Sequence, residues 1–172
     1  MFMLYGRRRK GVYMIDHSKV SGITLIPAKS VNTIEELGEG IFCDFYVQEV
    51  ETRGAEIIGG YQYERLTNID HHAPTERMAR IVSSVPLAIE YRERNGIAEG
   101  CKVVINHTDA DSILSSGIIT GVLEPEERFA KASIAADHTG EENDIADLLQ
   151  PLAVFRDKEF SFRNLELLLH GG

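Results

Sequence analysis

A short apolar run, CKVVIN (101–106), passes directly into a polar loop, and this combination is informative about the fold. A run with almost no polar alternation is typical of a strand buried on both faces, as in a parallel sheet covered by helices. Apolar residues at helical spacing, from Ile113 to Val122, follow the loop and predict a helix that packs on this sheet. Gly117 and Gly121 lie in that stripe and predict a close approach between helix and sheet.

The rest of the chain alternates between strand-like and helix-like patterns. β-prone runs occupy 11–16, 22–28, 41–50, 55–60 and 63–69. Helical patterns occupy 30–38, a segment from residue 74 that Pro86 should kink, and segments at about 125–136, 142–154 and 161–169. The repeated order of strand, polar loop and helix predicts a single α/β domain over 1–172, with a mainly parallel sheet flanked by helices. Its core should lie at about 11–140, and a helical C-terminal segment at about 141–172.

Composition narrows the class of protein. The net charge of −9 argues against a broad basic surface for long nucleic acid, although it is compatible with short oligonucleotides. Cys43 and Cys101 lie in apolar stretches without CxxC spacing, which predicts buried free thiols in a reducing compartment. No run of about 18 apolar residues occurs, so we expect no membrane partner. The N-terminus lacks the pattern of a signal peptide, and a cytoplasmic location is therefore predicted.

Histidine and aspartate recur together where predicted elements end. Of the six histidines, four lie close to an aspartate in this way: His71 and His72 after Asp70, His107 before Asp109, and His138 after Asp137. Asp109 and Asp111 would repel one another if they were buried side by side, and a divalent cation would remove that repulsion. Carboxylate oxygen together with imidazole nitrogen suits Mn²⁺, Fe²⁺, Co²⁺ or Zn²⁺.

Helix capping is the alternative interpretation of the same residues. Asp111 could cap the helix that follows it, and Asp70 or Thr75 could cap the helix predicted from residue 74. Capping explains neither the histidines nor their recurrence beside aspartates. Both interpretations therefore stay open for any single residue, while the set as a whole favours a metal site.

Two of these stretches together resemble a known family. DHH (70–72), after an apolar strand and before a predicted helix, and NHTDADS (106–112) resemble motifs of the DHH phosphoesterase superfamily. That superfamily includes RecJ-type exonucleases, oligoribonucleases, cyclic-dinucleotide phosphodiesterases and manganese inorganic pyrophosphatases. The resemblance covers about 41–140. In the family the His/Asp-x-Asp motif precedes DHH, whereas here it follows, and a parallel sheet can bring the same loops together in either order.

The resemblance implies a site with two divalent ions, for which Mn²⁺ is best suited. The implied metal ligands are Asp44, His71, His107, Asp109, Asp111 and Asp137, with Asp44 or Asp137 bridging the two ions. His72 would contact the substrate phosphate or donate a proton, and it would form the catalytic pair with Asp70. Arg77, Arg80 and Lys102 are the nearby cations that could hold a phosphate.

The expected activity is hydrolysis of a phosphoester or phosphoanhydride by a water that two metal ions activate. A small phosphorylated compound or a short oligonucleotide would be the substrate, and a homo-oligomer is compatible with the sequence. The alternative is a non-catalytic metal- or nucleotide-binding domain derived from the same fold. The reversed motif order and the lack of a second substrate-binding domain in the sequence are its support.

Overall fold

The computed structural model describes residues 13–72 and 83–171, and a six-stranded sheet forms its centre. The strands are β1 (Ile23–Leu25), β2 (Gly40–Cys43), β3 (Ala55–Ile57), β4 (Gly60–Tyr63), β5 (Leu66–Ile69) and β6 (Val103–Ile105). Their order across the sheet is β1-β6-β2-β5-β4-β3. The first four strands in this order run parallel. The antiparallel hairpin of β3 and β4 extends the sheet beyond β5. The prediction of an α/β fold with a mainly parallel sheet is confirmed.

Helices make up most of the remaining described structure. They are α1 (His17–Val20), α2 (Ile34–Leu37), α3 (Gln48–Arg53), α4 (Ser84–Asn95), α5 (Ala110–Thr120), α6 (Glu127–Ile134), α7 (Asp144–Leu152) and α8 (Lys158–Gly171). A π-helical turn, Ala135–Thr139, continues α6, and a 3-10 turn, Ala153–Phe155, follows α7. Within the described ranges, no helix is both long and apolar enough to cross a membrane.

The sheet separates two apolar clusters, as a strand buried on both faces requires. Val103 and Ile105 of β6 belong to the larger cluster, which includes the inner faces of α4 and α5. Val104, which points the other way, belongs to the smaller cluster with Phe42 of β2 and Val50 of α3. Side chains of successive strand residues point to opposite faces, so β6 contributes to both clusters. The prediction from CKVVIN is confirmed.

Helix α5 is buried along its whole length, including its polar residues. The hydroxyls of Ser116 and Thr120 donate to carbonyls four residues earlier, which satisfies them inside the core. A Cβ added to Gly117 would lie 2.9 Å from side-chain atoms of both Leu123 and Phe162. The close approach therefore involves the chain after α5 and helix α8, and not the sheet as predicted. Gly121 instead ends the helix, with a φ of 83°.

Several predicted elements differ from the structure. Residues 13–16, the described part of the predicted strand at 11–16, lie in no strand, and the predicted strand at 41–50 ends at Cys43. The prediction of one helix kinked at Pro86 is wrong, because Ser83 is extended and α4 begins at Ser84. Pro86 occupies the first turn, where a missing N–H costs no helical hydrogen bond. The start predicted at residue 74 falls in 73–82, outside the described residues.

The two cysteines differ in environment. Both are free, but only Cys43 is buried, whereas Cys101 is exposed just before β6. The prediction of two buried thiols is therefore wrong for Cys101. Its apolar neighbours in the sequence belong to the strand itself, and the cysteine lies outside that strand.

Candidate metal centre

Three neighbouring parallel strands deliver the polar residues to one edge of the sheet. The strands β6, β2 and β5 are adjacent, and at their carboxyl ends the chain continues into Asn106, Asp44 and Asp70. Ligand sites of open α/β sheets lie beyond such carboxyl ends. The two motifs therefore meet although about 35 residues separate them in the chain.

A tight turn after β2 positions Asp44. Its φ of 62° is a left-handed conformation that non-glycine residues seldom adopt, and it directs the chain away from the strand. The buried side chain of Asn68 holds this turn, because its Oδ1 accepts from the amide of Val47 at 3.1 Å. Its Nδ2 donates to the carbonyls of Phe42, at 3.2 Å, and Phe45, at 2.9 Å. Asn68 was not predicted, and its signal in the sequence is an amide side chain within the short β-prone run LTNI.

One cluster of side chains that could hold a metal ion, which we call the first ion site, consists of Asp44, His107 and Asp109. The Nε2 atom of His107 lies 3.0 Å from Oδ2 of Asp44 and 3.3 Å from Oδ1 of Asp109. The other ring nitrogen lies 2.6 Å from Oδ1 of Asn106, which fixes the orientation of the imidazole. Asp109 also caps α5, since its Oδ1 accepts from the amide of Ser112 at 2.9 Å. The cap that was considered for Asp111 therefore belongs to Asp109.

The second ion site consists of Asp44, His71, Asp111 and Asp137. The Nε2 atom of His71 lies 3.5 Å from Oδ1 of Asp44 and 3.4 Å from Oδ2 of both Asp111 and Asp137. Among the described residues, Nε2 of His71 and Oδ2 of Asp137 are two of the few buried side-chain atoms without a hydrogen-bond partner. An imidazole nitrogen aimed at three carboxylates without a hydrogen bond fits a shared cation.

Asp111 has a structural role as well. Its two oxygens accept from the amides of Ser84, at 2.8 Å, and Val85, at 2.9 Å, so it caps α4 from another part of the chain. Asp111 therefore does cap a helix, but the helix that it caps is α4 and not α5, to which it belongs. A carboxylate oxygen can accept a second interaction, so capping leaves room for a metal bond.

The π-helical turn after α6 contributes Asp137 and His138. One ligand atom from each of His71, Asp137 and His138 lies within 4.8 Å of the others. The sequence places His138 beside Asp137 but predicts no role for it. Widened turns of this kind occur often at functional sites.

Burial and mutual repulsion disturb the carboxyl groups of the second ion site. Burial raises the pKa of Asp44 to about 7. Burial and the charge of Asp111 raise the pKa of Asp137 to about 7, and burial and the charge of Asp44 raise that of Asp111 well above its usual range. Burial and the charge of His72 lower the pKa of His71. A divalent cation would reverse these effects on the carboxylates.

Within the first ion site, His107 and Asp109 form an ion pair. Burial opposes the charge on His107, yet hydrogen bonds to Asp109 and Asp44 raise its pKa to about 10. Burial opposes ionisation of Asp109 too, but the hydrogen bond and charge of His107 lower the pKa of this carboxyl to about 2. A metal ion there would replace the proton on His107.

His72 and Asp70 form a pair at the rim of the centre. Nδ1 of His72 lies 2.6 Å from Oδ1 of Asp70, whose Oδ2 accepts from the His72 amide at 3.1 Å. The hydrogen bond to Asp70 raises the pKa of His72 to about 9, so its ring is protonated at neutral pH. The His72 side chain is 47% exposed, whereas that of Asp70 is buried. This arrangement presents a charged proton donor to solvent.

The separations fit the edges of metal coordination shells. Atoms about 2.0–2.2 Å from one ion are about 3.0–3.5 Å apart when they are adjacent ligands, and the five distances above lie between 3.0 and 3.5 Å. Oδ2 of Asp44 faces the first ion site and Oδ1 the second, so this carboxylate belongs to both clusters. Within the described ranges, the groupings of possible ligands contain no cysteine. Buried Asp/His clusters that could hold a metal ion are thus present.

The predicted phosphate-binding cations do not join this centre in the described structure. Lys102 precedes β6, at the opposite edge of the sheet, where its Nζ donates to the carbonyl of Leu37. Its predicted role at the site is wrong. Arg77 and Arg80 lie outside the described residues.

All six predicted metal ligands and the pair Asp70 and His72 lie at the same edge of the sheet. Ser84, Asn68 and Asn106 surround them and were not predicted. Comparison with known proteins found no matching family model, curated protein or solved structure.

Proposed function

We propose that this protein is a metal-dependent phosphoesterase of the DHH type. Its substrate is a small phosphorylated compound or a short oligonucleotide. The two Asp/His clusters would hold two divalent ions, for which Mn²⁺ is best suited, and these ions would activate the attacking water. One observation carries the proposal: the buried Nε2 of His71 faces three carboxylates at 3.4–3.5 Å and has no hydrogen-bond partner among the residues that the structure describes. The resemblance of DHH (70–72) and NHTDADS (106–112) to the superfamily supports the reaction class.

Two bound ions would supply a water of lowered pKa and positive charge for the phosphate oxygens. Asp44 would be a ligand at both ion sites, because its two oxygens face different sites. Its left-handed backbone and the hydrogen bonds of Asn68 keep that carboxylate in place before substrate arrives. Such preorganisation is what catalysis by charge stabilisation requires.

His72 provides the proton in this mechanism. Its ring is charged at neutral pH and partly exposed, while Asp70 fixes its orientation through Nδ1. The free Nε2–H can donate to a phosphate oxygen or to the leaving oxygen. The net charge of −9 favours a small substrate that local groups can hold over a long polyanion.

The decisive experiment compares His71→Gln with the matched variant His17→Gln. His17 is a half-exposed histidine that pairs with Glu166 away from the centre. Metal content would be measured on protein purified without chelator, and hydrolysis of bis(p-nitrophenyl) phosphate would be followed with added Mn²⁺. We expect His71→Gln to lose one ion and at least about 100-fold in kcat/KM, as loss of a metal ligand implies. His17→Gln should match the native protein.

Other outcomes separate the rival interpretations. Metal binding that His71→Gln weakens, without hydrolysis of any phosphoester tested, would support the non-catalytic metal- or nucleotide-binding domain. Only trace metal in the native protein, with no uptake of added Mn²⁺, would overturn both interpretations.

A further inference from the structure

We propose that Ser84 is a positioning residue that sets the metal affinity of the second ion site selectively. This inference rests on the metal binding of the proposed function and does not require turnover. Ser84 is fully buried at the start of α4, and the sequence gives no sign that it belongs to the centre.

Ser84 contacts two carboxylates of the second ion site at once. Its hydroxyl donates to Oδ1 of Asp44 at 2.8 Å, and its amide donates to Oδ2 of Asp111 at 2.8 Å. These are the same oxygens that lie 3.4–3.5 Å from Nε2 of His71. A single residue therefore fixes the spacing between two ligand atoms that come from β2 and α5.

The selectivity follows from which oxygen Ser84 contacts. The oxygen Oδ1 of Asp44 faces the second ion site, whereas Oδ2 lies 3.0 Å from His107 in the first. Without the hydroxyl, Oδ1 loses its hydrogen-bond donor while the contacts of Oδ2 remain. Loss of a hydrogen bond to a metal ligand typically weakens metal binding about 10–100-fold.

The hydroxyl of Ser84 is not needed to cap α4. The capping position is Ser83, which makes no side-chain cap, and the amides of Ser84 and Val85 are satisfied by Asp111. The hydroxyl of Ser83 instead pairs with that of Ser133, near the end of α6. Helix α6 continues into the turn that carries Asp137. The first turn of α4 thus links every segment that supplies a carboxylate to the second ion site.

The test is a Mn²⁺ titration of the variants Ser84→Ala, Ser84→Thr and Ser115→Ala. Binding is measured by calorimetry, and the bound metal is measured after gel filtration. Asp109→Asn and Asp137→Asn assign the two binding steps to the first and second ion sites. Ser115 is the matched control, because it is equally buried and, among the described residues, its hydroxyl donates to the carbonyl of Ser112 in its own helix. Unfolding of the chelated proteins shows that each variant is folded.

We expect Ser84→Ala to weaken the second step about 10–100-fold and the first less than about threefold. Ser84→Thr keeps the hydroxyl and should keep both steps, as should Ser115→Ala. Equal weakening of both steps, unchanged binding in Ser84→Ala, or the same loss in Ser115→Ala would overturn the inference. Should Ser84→Ala fail to fold, Ser84→Gly replaces it, since the Asp111 cap uses only the backbone amides. A native protein that takes up no Mn²⁺ would refute the proposed function itself.

Discussion

Asp137→Asn should change the stability of the protein in opposite directions with and without metal. In the metal-free protein, the buried carboxyl groups of Asp44 and Asp111 and the partly buried one of Asp137 face one another around His71. Within the described part of the chain, Oδ2 of Asp137 has no hydrogen-bond partner, so an amide in its place loses little. We therefore expect the variant to be more stable than the native protein in chelator and less stable in excess Mn²⁺.

The magnitude follows from the titration of Asp137. Burial and the charge of Asp111 raise its pKa from 3.8 to about 7. A raised pKa in the folded state means that the protonated form contributes stability below pH 3.8, and that this contribution is lost as the pH rises through about 7. Asparagine does not ionise, so the variant does not lose this stability as the pH rises. The gain of the variant should grow between pH 4 and pH 8, with a ceiling of about 4 kcal/mol.

In excess Mn²⁺, we expect the native protein to be more stable than the variant. An ion at a free concentration 100 times its Kd stabilises the native protein by about 2.7 kcal/mol. The variant lacks one charged ligand of the second ion site and should gain much less. Urea unfolding at pH 5 and pH 8, in chelator and in excess Mn²⁺, measures all four differences. Asp147→Asn, on the exposed face of α7, is the matched control and should change none of them.

Two results would refute this reasoning. If Asp137→Asn is less stable than the native protein in chelator at pH 8, the carboxyl group stabilises the fold and is not a repelled charge. If Mn²⁺ stabilises variant and native protein equally, Asp137 is not a ligand.

Three further predictions concern two residues around the centre and one in helix α5. His72→Gln should lower kcat/KM at least about 100-fold with bound metal unchanged, as steady-state kinetics and metal analysis would show, because a proton donor is lost and no ligand is. Asn68→Ala should lower the free energy of unfolding in urea by about 2–4 kcal/mol, since it leaves buried backbone groups unpaired. The same variant should weaken both Mn²⁺ binding steps, because Asn68 holds the turn that positions Asp44. Gly117→Ala should cost about 1–3 kcal/mol by overpacking, with the Mn²⁺ titration unchanged.

The features that could be predicted from the sequence are those that periodicity and strand direction determine. CKVVIN (101–106) indicated a strand buried on both faces, and the polar residues after it had to lie at its carboxyl end. The same rule excludes Lys102, which precedes β6 and so lies at the opposite edge of the sheet. That error was avoidable from the direction of the strand alone.

The contacts that sequence reasoning missed join residues far apart in the chain. Asp111 caps α4 across 27 residues, and Asn68 holds a turn 21 or more residues earlier. The left-handed backbone of Asp44 has only a weak local signal, because aspartate adopts this conformation more often than most non-glycine residues but does not require it. Tertiary hydrogen bonds stabilise that conformation, and it interrupts what otherwise reads as one long strand from 41 to 50.

The reversed order of the motifs has a physical explanation in the sheet. β6 carries His107 and the aspartates after it, and lies beside β2 with the same direction. The site depends on which strands are neighbours and on where they end. It does not depend on whether the chain reaches β6 before or after β5. The order along the chain therefore places no constraint on the metal centre.

A circular permutant tests this argument directly. The amide of Ile15 donates to Oε2 of Glu166 at 2.7 Å, so segments near the two ends of the chain are adjacent. A glycine–serine linker from Gly172 to Met1, with new ends between the exposed residues Glu99 and Gly100, would place NHTDADS ahead of DHH. Because every strand pairing is kept, we expect both Mn²⁺ steps within about threefold of the native values, at a modest cost in stability. A folded permutant that binds fewer ions would show that chain order, and not strand adjacency alone, determines the site.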